Sequence, residues 1–429
     1  VPVLAAVPFL LYLLVIAAMP LVLARFWDHN RNKLAVALAA AVPVAIYLVA
    51  AAPGGRELLG DTAREYAAFI TLLGALFVIT AGIYLRGELA GTPAVNTAVL
   101  AVGAVLASVI GTTGASALLI RPLLRANAQR RHRRHIVVFF IFLVSNGGGL
   151  LTPLGDPPLF LGFLRGVPFR WTLGLAVPWV MVSAALLTAF AAVDRWWYRR
   201  EFPRPQVDQR SEPLRLEGRW NLVWLLGVVA SVFAIGSRGP QWSAAPYLQI
   251  AAMLGFAALS LATTPRRIHE ANRFSWAPIL EVAAVFIGIF VTMVPALAVL
   301  ADRGASLGIT RPHQFFWASG ALSSVLDNAP TYLTFASLAT GVVNAGGGQL
   351  SVHDLGALAA HPAGRELLRA VSCGSVLMGA MTYIGNGPNF MVKAIAEQHH
   401  VRMPSFFGYM VWSISILAPV LAAVALVVF

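Results

Sequence analysis

Two aspartates stand among glycine, proline and amide residues inside otherwise apolar stretches, and these are the positions where chemistry is expected. Asp156 lies in Ser145-Asn-Gly-Gly-Gly-Leu-Leu-Thr-Pro-Leu-Gly-Asp-Pro-Pro158, and Asp327 lies in Ser323-Ser-Val-Leu-Asp-Asn-Ala-Pro330. Thr112, Thr113, Asn146, Thr152, Asn328, Thr382, Asn386 and Asn389 complete the polar set. Glycine and proline withdraw backbone hydrogen bonds there and leave carbonyls free to hold a cation. The ends of the interrupted helices add dipoles, N-termini favouring anions and C-termini favouring cations. A carboxylate buried in such a place must choose between a proton and a metal cation, which is the choice an exchanger requires. The plainer reading of each aspartate is a turn or helix cap, since Asp-Pro and Asp-Asn are common turn signals.

The elements that must position these residues are membrane helices. Only 11% of the chain is charged and 58% is hydrophobic, with a mean hydropathy of +0.75. Soluble domains carry roughly 25% charged residues. Apolar runs near 20 residues long, enough to cross about 30 Å of hydrocarbon, fall at 2–24, 34–52, 65–86, 136–165, 171–193, 220–236, 246–263, 276–300, 366–398 and 404–429. Stretches 94–127 and 313–343 are apolar but interrupted, by Gly111-Thr112-Thr113-Gly114 and by Asp327-Asn328-Ala329-Pro330. Both read as re-entrant hairpins. The fold expected is an all-α polytopic membrane protein with about ten transmembrane helices and two such hairpins.

The halves resemble each other. Glu65-Tyr-Ala-Ala-Phe-Ile matches Glu281-Val-Ala-Ala-Val-Phe, and Ser108-Val-Ile-Gly-Thr matches Ser324-Val-Leu-Asp-Asn at the same offset. Thr152-Pro-Leu-Gly-Asp-Pro-Pro-Leu-Phe then matches Thr382-Tyr-Ile-Gly-Asn-Gly-Pro-Asn-Phe. Residues 1–193 and 220–429 therefore read as two repeats, each with five spans and a hairpin, joined by a solvated linker at 194–219. The first has its hairpin at 94–127 and a broken helix at 136–165, the second a hairpin at 313–343 and a broken helix at 366–398. An odd number of crossings inverts the second repeat. With the arginine-rich loop 125–135 placed in the cytoplasm, basic residues gather on that side about twice as often as on the other, as the positive-inside rule asks. Both termini then lie outside.

The formal charge of +13 resides in these short loops and sets orientation rather than marking a nucleic-acid partner. The single cysteine, Cys373, excludes an intramolecular disulfide. Neither a His-Glu-x-x-His nor a Gly-x-Ser-x-Gly pattern occurs, so an intramembrane enzyme lacks support. A passive channel fits two opposed hairpins less well than alternating access does. The histidines His132, His135, His399 and His400 read as solvated loop residues, and Glu65 and Glu281 as interfacial or interhelical partners.

The motifs quoted above, with Gly111-Thr-Thr-Gly-Ala-Ser-Ala-Leu-Leu-Ile-Arg-Pro122 and Gly385-Asn-Gly-Pro-Asn389, make the whole chain similar to the ion transporter superfamily. That group includes D-type sodium/proton antiporters, arsenite permeases and citrate transporters. The resemblance implies a homodimer in a bacterial inner membrane, working by an elevator-like shift. Where D-type relatives often carry an acid or amide at the first hairpin tip, this chain has Gly111-Thr112.

The expected function is secondary transport of a small ion or solute, with sodium/proton antiport as the leading case. Sodium and protons are then the transported or coupling ions, sodium binds at Asp156 and Asp327, and no organic cofactor is required. The alternative is a sodium- or proton-coupled carrier of an anion such as citrate. Arg121 and Lys393 would then contact the anion, or they extend to the cytoplasmic interface instead.

Overall fold

The structure, a computed structural model, describes residues 2–87, 89–201, 215–236 and 244–429. Apart from one antiparallel ribbon, Tyr84–Arg86 against Arg215–Glu217, its regular elements are helices. Among the described residues, nine helical stretches are long and apolar enough to cross a membrane, and Trp220–Ile235 is a shorter tenth. The chain is an all-α polytopic membrane protein. Leu10, Leu14, Ile46, Val177, Leu226 and Leu254 turn large apolar side chains outward. That suits a hydrocarbon solvent, whereas soluble proteins avoid large apolar surfaces. Inside lie the interrupted helices, with Val137 to Val144 almost wholly buried.

Pro93–Ala126 would be about 51 Å long if straight. Instead Asn96 and Asn127, near its two ends, exchange amide hydrogen bonds at 3.0 and 2.8 Å. The helix doubles back at Gly111, whose φ of 80° and ψ of 152° are open only to glycine without strain. In the second half, Pro312–Ser323 and Asn328–Ala345 form a like pair of arms around a turn at 324–327. Phe315 meets Phe335 edge-on at 6.2 Å across it. Proline opens the first arm of each hairpin, where a missing N–H costs nothing.

The two broken helices are Arg134–Leu143 followed by Pro157–Leu164, and Pro362–Met378 followed by Gly387–Gln398. Their breaks share several contacts. Thr152 Oγ1 donates to the Ser108 carbonyl, and Thr382 Oγ1 donates to the Ser324 carbonyl at 2.5 Å. A side chain on Gly155 would strike the Gly149 carbonyl, and one on Gly385 would strike the Gly379 carbonyl. Asp156 and Asn386 share one extended backbone conformation. Each tie pins a hairpin tip to its neighbouring break.

Two boundaries differ from expectation. The span expected at 65–86 is a helix over Gly55–Ala81, and Tyr84–Arg86 belongs to the ribbon. Charged residues at 56, 57, 61, 64 and 65 masked its first three turns from a hydropathy reading. The helix Ala176–Tyr198 runs into the stretch expected as linker. Asp194 and Glu201 there are buried, not solvated; residues 202–214 of that linker lie outside the described residues. His135, expected in a solvated loop, is also buried, because its Nε2 lies 2.8 Å from Asp194.

Candidate functional site

Four helices begin around one carboxylate. Thr112 opens the second arm of the first hairpin, Asp156 immediately precedes Pro157–Leu164, Asn328 opens Asn328–Ala345, and Asn386 immediately precedes Gly387–Gln398. Asp156 is 1% exposed. Its Oδ1 accepts from Thr112 Oγ1 at 2.9 Å and from Asn386 Nδ2 at 3.4 Å, and its Oδ2 accepts from Asn328 Nδ2. Each donor comes from a different interrupted element, so the carboxylate joins both hairpin tips to both breaks. Four N-terminal dipoles favour negative charge at this point. Asn328 Oδ1, beside that charge, is buried and accepts no hydrogen bond from the protein.

A web of amides extends the site. Asn386 Nδ2 donates to Asn146 Oδ1 at 3.1 Å and to the Ser145 carbonyl at 3.2 Å. Asn146 Nδ2 donates to Asn389 Oδ1 at 2.7 Å and to the Ile141 carbonyl. Asn389 Nδ2 donates to the Gly379 and Thr382 carbonyls at 2.8 and 2.9 Å. These amides satisfy the carbonyls that the helix breaks expose, as buried polar groups require.

Of the expected site residues, Asp156, Thr112, Asn328, Asn386, Asn146 and Asn389 meet in this one network. Thr152 and Thr382 serve beside it, holding the hairpin tips. Thr113 lines a cavity of about 80 Å³ that reaches Asp156 between Leu73, Phe77, Pro278 and Val282. Asp327 is not a partner of Asp156. Its Oδ1 caps Asn328–Ala345 by accepting from Ala329 N at 3.0 Å. Lys393 pairs with Glu397 at 3.0 Å, and Arg121 makes no hydrogen bond to the network.

Other polar groups escaped the sequence reading. Arg165, 3% exposed in its side chain, pairs with Glu65 at 3.0 Å, and Lys33 pairs with Glu281 at 2.6 Å. The two glutamates are interhelical partners as expected, but nothing in the spacing named their cations. A second buried knot joins Asp194 to Arg130 at 2.6 Å, to His135 at 2.8 Å and to Asn96 at 2.9 Å. The match of Ser108 with Ser324 was a visible signal, since their carbonyls anchor the two threonines.

Comparison with known proteins gives a consistent picture. The chain matches, over residues 1–429, a family described as "Putative citrate transport". It is also 26% identical over 335 residues to an uncharacterized transporter of the cyanobacterium Synechocystis sp., covering 72% of each chain.

Proposed function

From the premise that this chain belongs to that citrate-transport family, and is therefore a membrane transporter rather than an enzyme, we propose that it carries citrate or a close relative, coupled to a cation at Asp156. The convergence of four helix N-termini on Asp156 supports this most. Those termini supply positive potential without a basic side chain, so a carboxylate substrate needs neither Arg121 nor Lys393. Asp156 occupies the donors that a substrate carboxylate would use. A proton on Asp156, or a sodium ion held between its carboxylate and Asn328 Oδ1, neutralises it and releases Thr112, Asn328 and Asn386 to the substrate. Coupling follows, because the anion gains its donors only when the cation has bound.

In this reading residues 1–193 and 220–429 are inverted repeats, the hairpins are re-entrant, and the 125–135 loop is cytoplasmic with both termini outside. A homodimer in a bacterial cell membrane, with an elevator-like shift of the interrupted elements, fits the same picture. Sodium/proton antiport is the second reading. What favours it is the lack of any basic side chain in the Asp156 network among the described residues. Uptake of labelled citrate into liposomes holding purified protein separates the two. Citrate accumulation driven by a proton or sodium gradient supports the first reading, and sodium/proton exchange indifferent to citrate supports the second.

A further inference from the structure

Near the cavity that reaches Asp156 stands a group of arginines that, among the described residues, have no acidic partner. Phe77, in the cavity wall, packs on Phe274 at 5.7 Å, and Arg273 precedes Phe274 in the chain. Asn272 fixes that corner by donating to the Ala81 and Ile83 carbonyls at 2.7 and 2.9 Å. Arg125 lies against the adjoining ribbon, with its Nη2 3.2 Å from the Leu85 carbonyl, and Arg121 stands one turn before it on the same helix face. Gly387–Gln398 closes the ring, Arg273 Nη1 donating to Gln398 Oε1 at 3.2 Å. Among the described residues none of Arg121, Arg125 and Arg273 is ion-paired, and Arg121 has no hydrogen-bonding partner either. Burial and the nearby charges of Arg121, Arg273, Arg125 and Arg133 hold His399 below its ordinary pKa.

The backbone at Arg273 adds an independent observation. Its φ is 51°, in the left-handed region, just past the end of helix Arg266–Ala271. The N–H groups of Arg273 and Phe274 bond back to the Glu270 and His269 carbonyls at 2.9 and 2.8 Å, so a left-handed helix cap fixes the backbone that carries Arg273.

We infer that Arg121, Arg125 and Arg273 form a second anion site near the Phe77 wall of the cavity, which gathers a small polycarboxylate before it reaches Asp156. The inference rests on the carboxylate reading above. Clustered positive charge beside a low-dielectric cleft concentrates anions there and raises their rate of entry.

Calorimetric titration of citrate into the purified full-length protein tests the site. At about 0.02 M salt the Arg121→Gln, Arg125→Gln, Arg273→Gln triple variant should bind citrate roughly ten-fold more weakly than wild type, and at about 0.3 M salt the difference should shrink. The triple lysine variant should recover most of the low-salt affinity. Equal citrate affinity in wild type and the triple glutamine variant at low salt would overturn the site. So would vesicles of phosphatidylglycerol binding in its place while citrate does not, which marks a lipid-headgroup site. Salt-sensitive citrate binding lost in the triple variant, in a wild type that moves no citrate across liposomes, would sink the carboxylate transport reading and leave the arginine site standing.

Discussion

Asn328 donates a hydrogen bond to the carboxylate of Asp156, although 172 residues separate the two in the chain. The bond crosses from the tip of the second hairpin to the break of the first discontinuous helix, and Thr112 makes the matching bond from the first hairpin tip. One buried charge is thus shared by elements from both halves.

Thr112→Ala and Asn328→Ala should each slow citrate transport by about ten-fold or more, since a hydrogen bond to a charged group is worth about 1.5–3 kcal/mol. Both variants should keep the wild-type gel-filtration profile, because neither side chain fills a large volume. Initial uptake rates in liposomes check this. Wild-type rates in both variants would reduce the tips to structural turns.

The two interhelical ion pairs should differ in weight. Removing Glu65 leaves Arg165 buried with Nη1 already lacking a partner, and stranding one charge of a buried pair costs about 3–5 kcal/mol. Glu281 is half exposed in its side chain, whereas Glu65 is 18% exposed, so solvent screens the Lys33 pair more. Thermal unfolding in detergent should therefore place Glu65→Gln well below Glu281→Gln. The reverse order would show that burial does not set the weight of these pairs.

Much of this architecture was legible in the sequence because membrane depth makes polar residues conspicuous. The interruptions at Gly111, Asp327, Gly155 and Gly385 could be read as breaks, and the Ser108/Ser324 and Thr152/Thr382 matches are the residues that tie tips to breaks. What the sequence left open was which polar residues meet. Asp156 and Asp327 look alike as letters, yet one gathers donors from three other elements and the other caps its own helix. That distinction depends on tertiary geometry, as does the burial of His135 and Asp194 in what reads as loop and linker. Charge patterns also hid the first turns of Gly55–Ala81, where Glu65 finds Arg165 across 100 residues.

Acid should weaken the protein through Glu201. Burial pushes its carboxyl up, but the N–H groups of His132 and Arg131, with the charges of His132 and Arg130, outweigh that and hold it below the usual range. A carboxyl with a lowered folded pKa adds stability above its unfolded value, near 4.5, and loses it as pH falls through the folded one. Glu201→Gln should therefore unfold at a lower temperature than wild type at pH about 7, and the gap should close below pH about 4. A gap of the same size at both pH values would mean the carboxylate charge contributes nothing.

The most direct measurement compares wild type with Asp156→Asn in citrate-loaded liposomes, following labelled citrate with and without an imposed proton or sodium gradient. Wild type should accumulate citrate against its gradient and stop when the cation gradient is collapsed. Asp156→Asn should lose that accumulation while still exchanging citrate for citrate, because an amide keeps the shape of the site but cannot bind the coupling cation. Undiminished gradient-driven accumulation by Asp156→Asn would contradict the assignment of coupling to this carboxylate.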